Sequence, residues 1–439
     1  MPYQQGKEKR LPHERASRLG HLDVLKSELV EKFCDSFEET GNAPPLHTCS
    51  WQGVPTGGAV LPLIFGVDGS LQVIQSKTPP HKALAFVKTA LLRLDTVALS
   101  AVNKESPHPF VLRDLMDGAA LYHATVFPLR NIAVSGVSLY NAVRQGIFES
   151  VKDASLSAEP METLKWLMYE KWDSNNKSLP LFQCPHCEEN VATLPYNAEQ
   201  GKCSNCNGEL LITDVLGFHQ EMGEDSAPDI IASNYMLVHE TLLLFTGIRH
   251  FWENSKDTLK DCLFVKDGPL AIRAQYSKMV APIRRFLAYA KAQGVIVNIV
   301  GQEKTGYFVD HLELIGSSAP VPSISIPNDF YIKTQIQHRS ENGDAYGIYT
   351  NYGAKVFVRL NDYHKMVISI PTGNFTVNPS EADLIGADRI FPTLYTILSS
   401  RYESALLPIE LAHGIASLST YPSAQILKMF AETHMKKQQ

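Results

Sequence analysis

Two stretches far apart in the chain share one design, an apolar run that stops at Asp-Gly. Leu61-Pro62-Leu63-Ile64-Phe65-Gly66-Val67 leads into Asp68-Gly69-Ser70, and Cys262-Leu263-Phe264-Val265-Lys266 leads into Asp267-Gly268-Pro269. A strand that leaves the core and ends this way sets one ionised carboxylate at a sheet rim, within reach of a hard cation or a water. Asp-Gly also turns hairpins, and Leu71 to Gln75 alternates as a returning strand would. The second occurrence, at Asp267, favours reading both aspartates as ligands. A third acid, Glu240, lies inside a run from Ile230 to Trp252 that is apolar nearly all round. Such a helix is expected to be buried. A carboxylate there is costly without a cation or strong donors, so Glu240 joins Asp68 and Asp267 as a candidate ligand, beside the plainer reading of a glutamate on a narrow polar stripe. Three carboxylates from two strands and a helix can hold one or two divalent cations in an all-oxygen site of the kind Mg²⁺ and Mn²⁺ prefer. Two such ions can activate a water and steady a leaving oxygen in phosphodiester hydrolysis.

A different chemistry is written at Cys184-Pro185-His186-Cys187, followed after 15 residues by Cys203-Ser204-Asn205-Cys206. Two Cys-x2-Cys knuckles at this spacing make a tetrahedral thiolate cage for Zn²⁺. Four sulfurs leave no open position for water, so the expected role of Cys184, Cys187, Cys203 and Cys206 is structural, with His186 a bystander.

The chain has 439 residues, 44% hydrophobic and 20% charged, enough for two or three domains or one large domain with insertions. Seven cysteines, four of them in the knuckles, do not resemble a disulfide framework in a chain this long. A net charge of -6 argues against a uniformly basic nucleic-acid binder. No apolar run is long enough to span a bilayer and the N-terminus has no signal-peptide pattern, so a cytoplasmic location without a membrane partner is expected.

The elements that must position these residues follow in order. Residues 1–20 form a basic arm, Leu22 to Phe37 an amphipathic helix, and Gly41 to Gly58 a Pro/Gly-rich linker. Strand-like segments cover Ala83 to Leu94 and Val97 to Val102, and 159–173 reads as a helix. After Asp267 a helix with no acid, expected from Ala271 to Gly294, carries Arg273, Lys278, Arg284, Arg285 and Lys291, which suits a polyanion running past a metal site. The strand Val295 to Val300 leads into Gly301-Gln302-Glu303-Lys304-Thr305-Gly306, placing Lys304 in a loop where substrate-facing residues collect. That loop lacks the P-loop spacing, which excludes nucleotide hydrolysis of that type. Tyr346 to Tyr349 and Lys355 to Leu360 read as an antiparallel pair, with Met366 to Ile370 beyond. A late helix from Tyr402 to Leu418 bears Glu410 and His413.

Taken together, Phe65-Gly66-Val67-Asp68-Gly69-Ser70, Met236-Leu237-Val238-His239-Glu240, Phe264-Val265-Lys266-Asp267-Gly268-Pro269-Leu270, Val300-Gly301-Gln302-Glu303-Lys304, Val356-Phe357-Val358-Arg359 and Pro408-Ile409-Glu410-Leu411-Ala412-His413 resemble, in their order, the NurA nucleases. The resemblance spans about residues 60–425. It implies an α/β fold, a ribonuclease-H-like mixed sheet flanked by helices, here with a small inserted zinc ribbon. It implies that Asp68, Glu240 and Asp267 bind Mn²⁺ or Mg²⁺ and that His413 completes the site; apart from the resemblance, Lys304, Arg284, Arg285 and Arg359 are expected to face substrate. It further implies a homodimeric DNase acting with a hexameric HerA-type ATPase in DNA end processing or anti-phage defence. The expected divisions are 1–60 (arm, helix and linker), 61–179 and 214–439 (the nuclease core) and 180–213 (the ribbon). A non-catalytic DNA-binding or docking subunit and an RNA-directed nuclease are the alternatives that the residues leave open.

Overall fold

A computed structural model describes residues 24–37, 49–77, 79–95, 120–132, 134, 136–176, 178–224, 229–272, 278–399, 404–419 and 422–436. The basic arm, the expected strand Val97 to Val102, Arg273 and the first residues of the late helix lie outside them. The chain forms two compact units, Met1–His47 and Thr48–Gln439. The first contains helix α1 (Glu28–Asp35), whose N-terminus is capped by Ser27 accepting from the amide of Val30. None of its residues is buried.

The second unit is built on an eight-stranded mixed sheet. Its strands are β1 (Leu63–Gln75), β2 (Ala83–Asp95), β3 (Ala120–Arg130), β6 (Cys262–Asp267), β7 (Asn298–Glu303), β8 (Ser323–Ser325), β9 (Ala354–Arg359) and β10 (Lys365–Ile370). β4 (Gln200–Lys202) and β5 (Glu209–Leu211) pair separately in the cysteine segment. The order across the large sheet is β3-β2-β1-β6-β7-β10-β9-β8. β1, β2 and β3 form an antiparallel meander, β6 and β7 continue it in parallel with β1, and β10, β9 and β8 complete it antiparallel.

Helices cover both faces, as expected for strands read as near-continuous apolar runs. On one face lie α2 (Leu139–Val151), α3 (Glu159–Met168), α4 (Ile230–Asn254) and α6 (Val280–Ala292), following the short α5 (Lys256–Lys260). They enclose the larger core, where Phe65 stacks on Phe264 with ring centroids 4.9 Å apart. The sequence reading of α4 as buried holds: Leu242, Leu243, Leu244 and Phe245 all lie in this core. α7 (Tyr307–Ile315) packs on β10. On the other face α8 (Ala387–Thr396) and α9 (Leu407–Ala416) close a second core over Ile64, Leu263 and Val265, and α10 (Ser423–Lys436) follows. No helix among the described residues is long and apolar enough to cross a membrane.

Four elements differ from the sequence reading. The basic helix is shorter than expected, Val280–Ala292. β9 pairs antiparallel with β10 and β8, while Tyr346 to Tyr349 forms turns. β7 runs to Glu303, so Lys304 follows a strand end directly. β1 does not stop at Asp68 but continues to Gln75, paired with β2 along its whole length.

Candidate functional site

What ends at Asp68 is not its own strand but its neighbour. The parallel ladder from β1 to β6 runs from Leu63 opposite Cys262 to Val67 opposite Lys266. β6 ends at Asp267 and turns away at Gly268, which has a φ of 83° that a side chain would disfavour. Asp68 and Asp267 therefore lie adjacent on neighbouring strands, at the rim where the ladder stops. Alternation assigns faces: Gly66 and Asp68 point to the α9 side, Val67 and Lys266 to the α4 side.

Gly66 lets α9 approach, since a β-carbon there would lie 2.4 Å from the carbonyl oxygen of Pro408. The helix is tied to the strands at both ends. The amide of Leu406 donates to Gln302 Oε1 at 3.1 Å, Lys88 Nζ donates to the Ile415 carbonyl at 2.6 Å, and the amide of Leu418 donates to Ser70 Oγ at 3.0 Å. Thus held, α9 brings His413 Nδ1 to 2.8 Å from Asp68 Oδ2, while Oδ1 accepts from the amide of Gly69 at 2.7 Å. His413 is half exposed, and its pKa is raised chiefly by the hydrogen bond to Asp68.

Asp267 Oδ2 accepts from Lys304 Nζ at 3.0 Å. Burial pushes the Asp267 carboxyl up, the charge of Asp68 and a hydrogen bond between the two carboxyls push the same way, and Lys304 opposes them. Glu240 reaches the same place from below. Its Oε1 lies 2.6 Å from where a β-carbon on Gly69 would stand, and its Oε2 accepts from Lys266 Nζ at 2.7 Å. Burial raises Glu240 to about 7, against the pull of Lys266 and with a further push from Asp68 and Asp267. The three acids thus sense one another, with Glu240 beneath the aspartates.

A cleft of about 840 Å³ opens over the aspartates, lined by five carboxylates (Asp68, Asp267, Glu303, Glu313, Glu410), two lysines (Lys304, Lys365) and His413. Glu303 is itself paired with the buried Lys355. The other basic residues expected at the substrate are elsewhere and engaged. Arg284 donates to the carbonyls of Ile348, Gly347 and Asn351 and stacks over Phe375. Arg285 pairs with Glu170, and Arg359 donates to the carbonyls of Gly316, Ser317 and Ala319. A guanidinium fork fits clustered carbonyls as well as phosphates, and here the fold supplies the carbonyls. Sequence reasoning passed over Lys266, although a lysine in a buried apolar run signals a required anionic partner.

The cysteines converge as their spacing requires. Their four Sγ atoms all lie within 4.8 Å of one another, with Cys184 to Cys206 at 3.7 Å and Cys187 to Cys203 at 3.9 Å. Sulfurs about 2.3 Å from a tetrahedral zinc stand about 3.8 Å apart, so the cage fits that ion. The knuckles repeat one geometry. Glu188 and Asn207 both take φ of 60°, and amides of His186 and Asn205 each donate to the leading cysteine's sulfur at 3.4 Å. His186 Nε2 faces the Glu209 carbonyl at 2.8 Å, away from a ligand role. Cys184, Cys203, Phe182 and Leu194 belong to the main core, and Arg144 of α2 holds Asp214 through two bonds of 2.9 and 2.8 Å. The ribbon is therefore built into the sheet's larger core. Among the described residues it is the only group of three or more His, Cys, Asp or Glu ligand atoms lying that close together.

No protein-family model matches this chain. None of the curated proteins matches it either. Among solved structures, a chain described as NurA with manganese aligns over 90% of this chain and 92% of its own, at 11% identity and a TM-score of 0.24. A likeness at that level carries no argument about fold or chemistry, which rest on the geometry above.

Proposed function

We propose that the cleft over Asp68 and Asp267 hydrolyses phosphodiester bonds of DNA with the help of a divalent cation. The observation that carries this reading is the register of β1 and β6, which sets two carboxylates side by side at a sheet rim with a histidine and a lysine beside them. An antiparallel meander continued by two parallel strands supports the ribonuclease-H-like reading of the sheet. The cleft wall supports the cation. A phosphate entering among five carboxylates, two lysines and a histidine meets net repulsion until a cation offsets it. The all-oxygen donor set of Asp68 and Asp267 suits Mg²⁺ or Mn²⁺. Bound there, such an ion would neutralise phosphoryl oxygens and make a water easier to deprotonate.

The chain's own residues supply the rest. Lys304, fixed by Asp267, is placed to meet a phosphoryl oxygen. Water oxygen bonds to phosphorus as the ester P–O bond breaks; the proton that this water sheds passes to solvent in the open cleft, and the leaving oxygen needs a proton. His413, with Nδ1 held by Asp68 and its charged form favoured, offers that proton from Nε2. A HerA-type ATPase would deliver the strand to a homodimer of such chains. The test is Mn²⁺-dependent cleavage of linear DNA by wild type and Asp68→Asn. Loss of about 100-fold or more is expected, and equal rates would remove Asp68 from the mechanism.

One observation favours a second reading, a DNA-binding subunit without catalysis. Lys266 and Lys304 already neutralise Glu240 and Asp267, as expected where ammonium groups have replaced metal. DNA binding with neither Mn²⁺ binding nor cleavage would establish it.

A further inference from the structure

Lys266 is a buried charged group beside the aspartate pair that this reaction leaves unused. Its side chain is 1% exposed, below Asp68 and Asp267 on the α4 face of the sheet. Its ammonium donates to Glu240 Oε2 at 2.7 Å and to the backbone carbonyl of Asp267 at 2.9 Å. A carboxylate oxygen and a backbone carbonyl oxygen are the ligands a hard divalent cation takes. Glu240 is itself 3% exposed, and its other oxygen lies against Gly69, the residue that follows Asp68. The positive charge therefore sits next to the aspartate pair, joined to it through Glu240 on one side and the Asp267 main chain on the other. Without it, Glu240 and the Asp267 carbonyl would offer a second cation a place behind the aspartates; with it, Glu240 is already neutralised.

We propose that Lys266 takes the place of a second cation behind the cleft, so that each chain binds a single divalent cation, at Asp68 and Asp267, with Glu240 as the lysine's counter-ion. This rests on the reading that the aspartate pair holds a cation. It sets the site apart from two-ion phosphoryl-transfer centres, in which a metal steadies each of the attacking and leaving oxygens. Here the leaving side would depend on His413 and Lys304.

The test is a count. Zinc-loaded protein is titrated with Mn²⁺, and free Mn²⁺ is followed by its electron paramagnetic resonance signal. The wild type is expected to bind one Mn²⁺ per chain, and Asp68→Asn none. Lys266→Met, which strips Glu240 of its partner, is expected to bind two, and Lys266→Met with Glu240→Gln to return to one. Two Mn²⁺ in the wild type would overturn the inference while leaving the cation reading intact. No Mn²⁺ in the wild type would overturn that reading and this inference with it. A folded Lys266→Met variant that still binds one would also refute it. Should that variant not fold, the wild-type and double-variant counts decide, because the double variant buries no unpaired charge.

Discussion

Gly66→Ala tests whether the approach of α9 to β1 is what holds the site together. Gly66 has ordinary strand backbone, so the added methyl is opposed by sterics alone. The new β-carbon would stand 2.4 Å from the Pro408 carbonyl oxygen and 2.8 Å from its carbon, where real contacts do not fall below 3.0 Å. Both atoms are main chain, so no side chain can rotate away, and the helix must recede by about 0.6 Å or more. Its ends cannot swing freely, being tied to Gln302, Lys88 and Ser70. A retreat of that size stretches the 2.8 Å bond between His413 and Asp68 to about 3.4 Å, beyond the range of a good hydrogen bond. Overpacking should cost about 1–3 kcal/mol in urea unfolding. The pKa of His413, followed by NMR of its ring protons, should fall back toward the ordinary histidine value, because the hydrogen bond is the main cause of its elevation. Gly146→Ala is the control. It lies within α2, its β-carbon would meet only Phe127 at 3.6 Å, and helix propensity should make it neutral or stabilising by up to about 1 kcal/mol. Unchanged stability together with an unchanged His413 titration in Gly66→Ala would refute the argument.

Other outcomes follow from the same structure. Loading the cysteine cluster with Zn²⁺ and stripping it again with a strong chelator should raise and then lower the melting temperature of the whole sheet unit in one transition, since Cys184 and Cys203 lie in its main core; a melt that does not move between the loaded and stripped states would show the cluster to be energetically separate. Arg144→Ala should cost about 3–5 kcal/mol in chemical denaturation by leaving Asp214 buried and unpaired, and a loss under about 1 kcal/mol would contradict the burial of that pair. Burial lowers the pKa of His239 and of His123, whose rings stack at 4.6 Å, although Asp153 opposes the shift at both. The unfolded chain therefore binds more protons than the folded one below the ordinary histidine value of 6.5, and stability should fall as pH drops through that point. His239→Asn should flatten this acid limb of a stability-against-pH curve, and an identical limb in wild type and variant would remove His239 as its source.

The positions of the chemistry were legible where the sequence repeats itself. Two apolar runs ending in Asp-Gly announced two strands with a carboxylate apiece, and an all-apolar helix announced that Glu240 would be buried. The convergence of the four cysteines was legible, because a knuckle is a local structure whose geometry its own few residues fix. What the sequence hid was non-local. Arg284, Arg285 and Arg359 read as phosphate contacts because sequence shows basic side chains without the partners opposite them, carbonyls for Arg284 and Arg359 and the Glu170 carboxylate for Arg285. The strand at Asp68 was expected to stop because Asp-Gly is a stop signal in isolation. In the sheet that signal is overruled by 13 residues of pairing with β2, and Asp68 reaches a rim only because β6 turns away beside it.

That difference bears on how the site works. An aspartate on a free strand end moves with its turn, whereas Asp68 is fixed by β2 on one side and by a helix that only a glycine allows so near on the other. Preorganisation of this kind matters most where charges repel. Asp68 and Asp267 gain nothing from each other, and Asp267 is raised by the contact. Their proximity is sustained by the register of the parallel ladder, and the lysines at Glu240 and Asp267 reduce the repulsion without removing it. A site held together against its own electrostatics in this way leaves one favourable place for an incoming positive charge, between the two aspartates, and this is where a divalent cation bridging to phosphate would do most to lower the energy of the whole cleft.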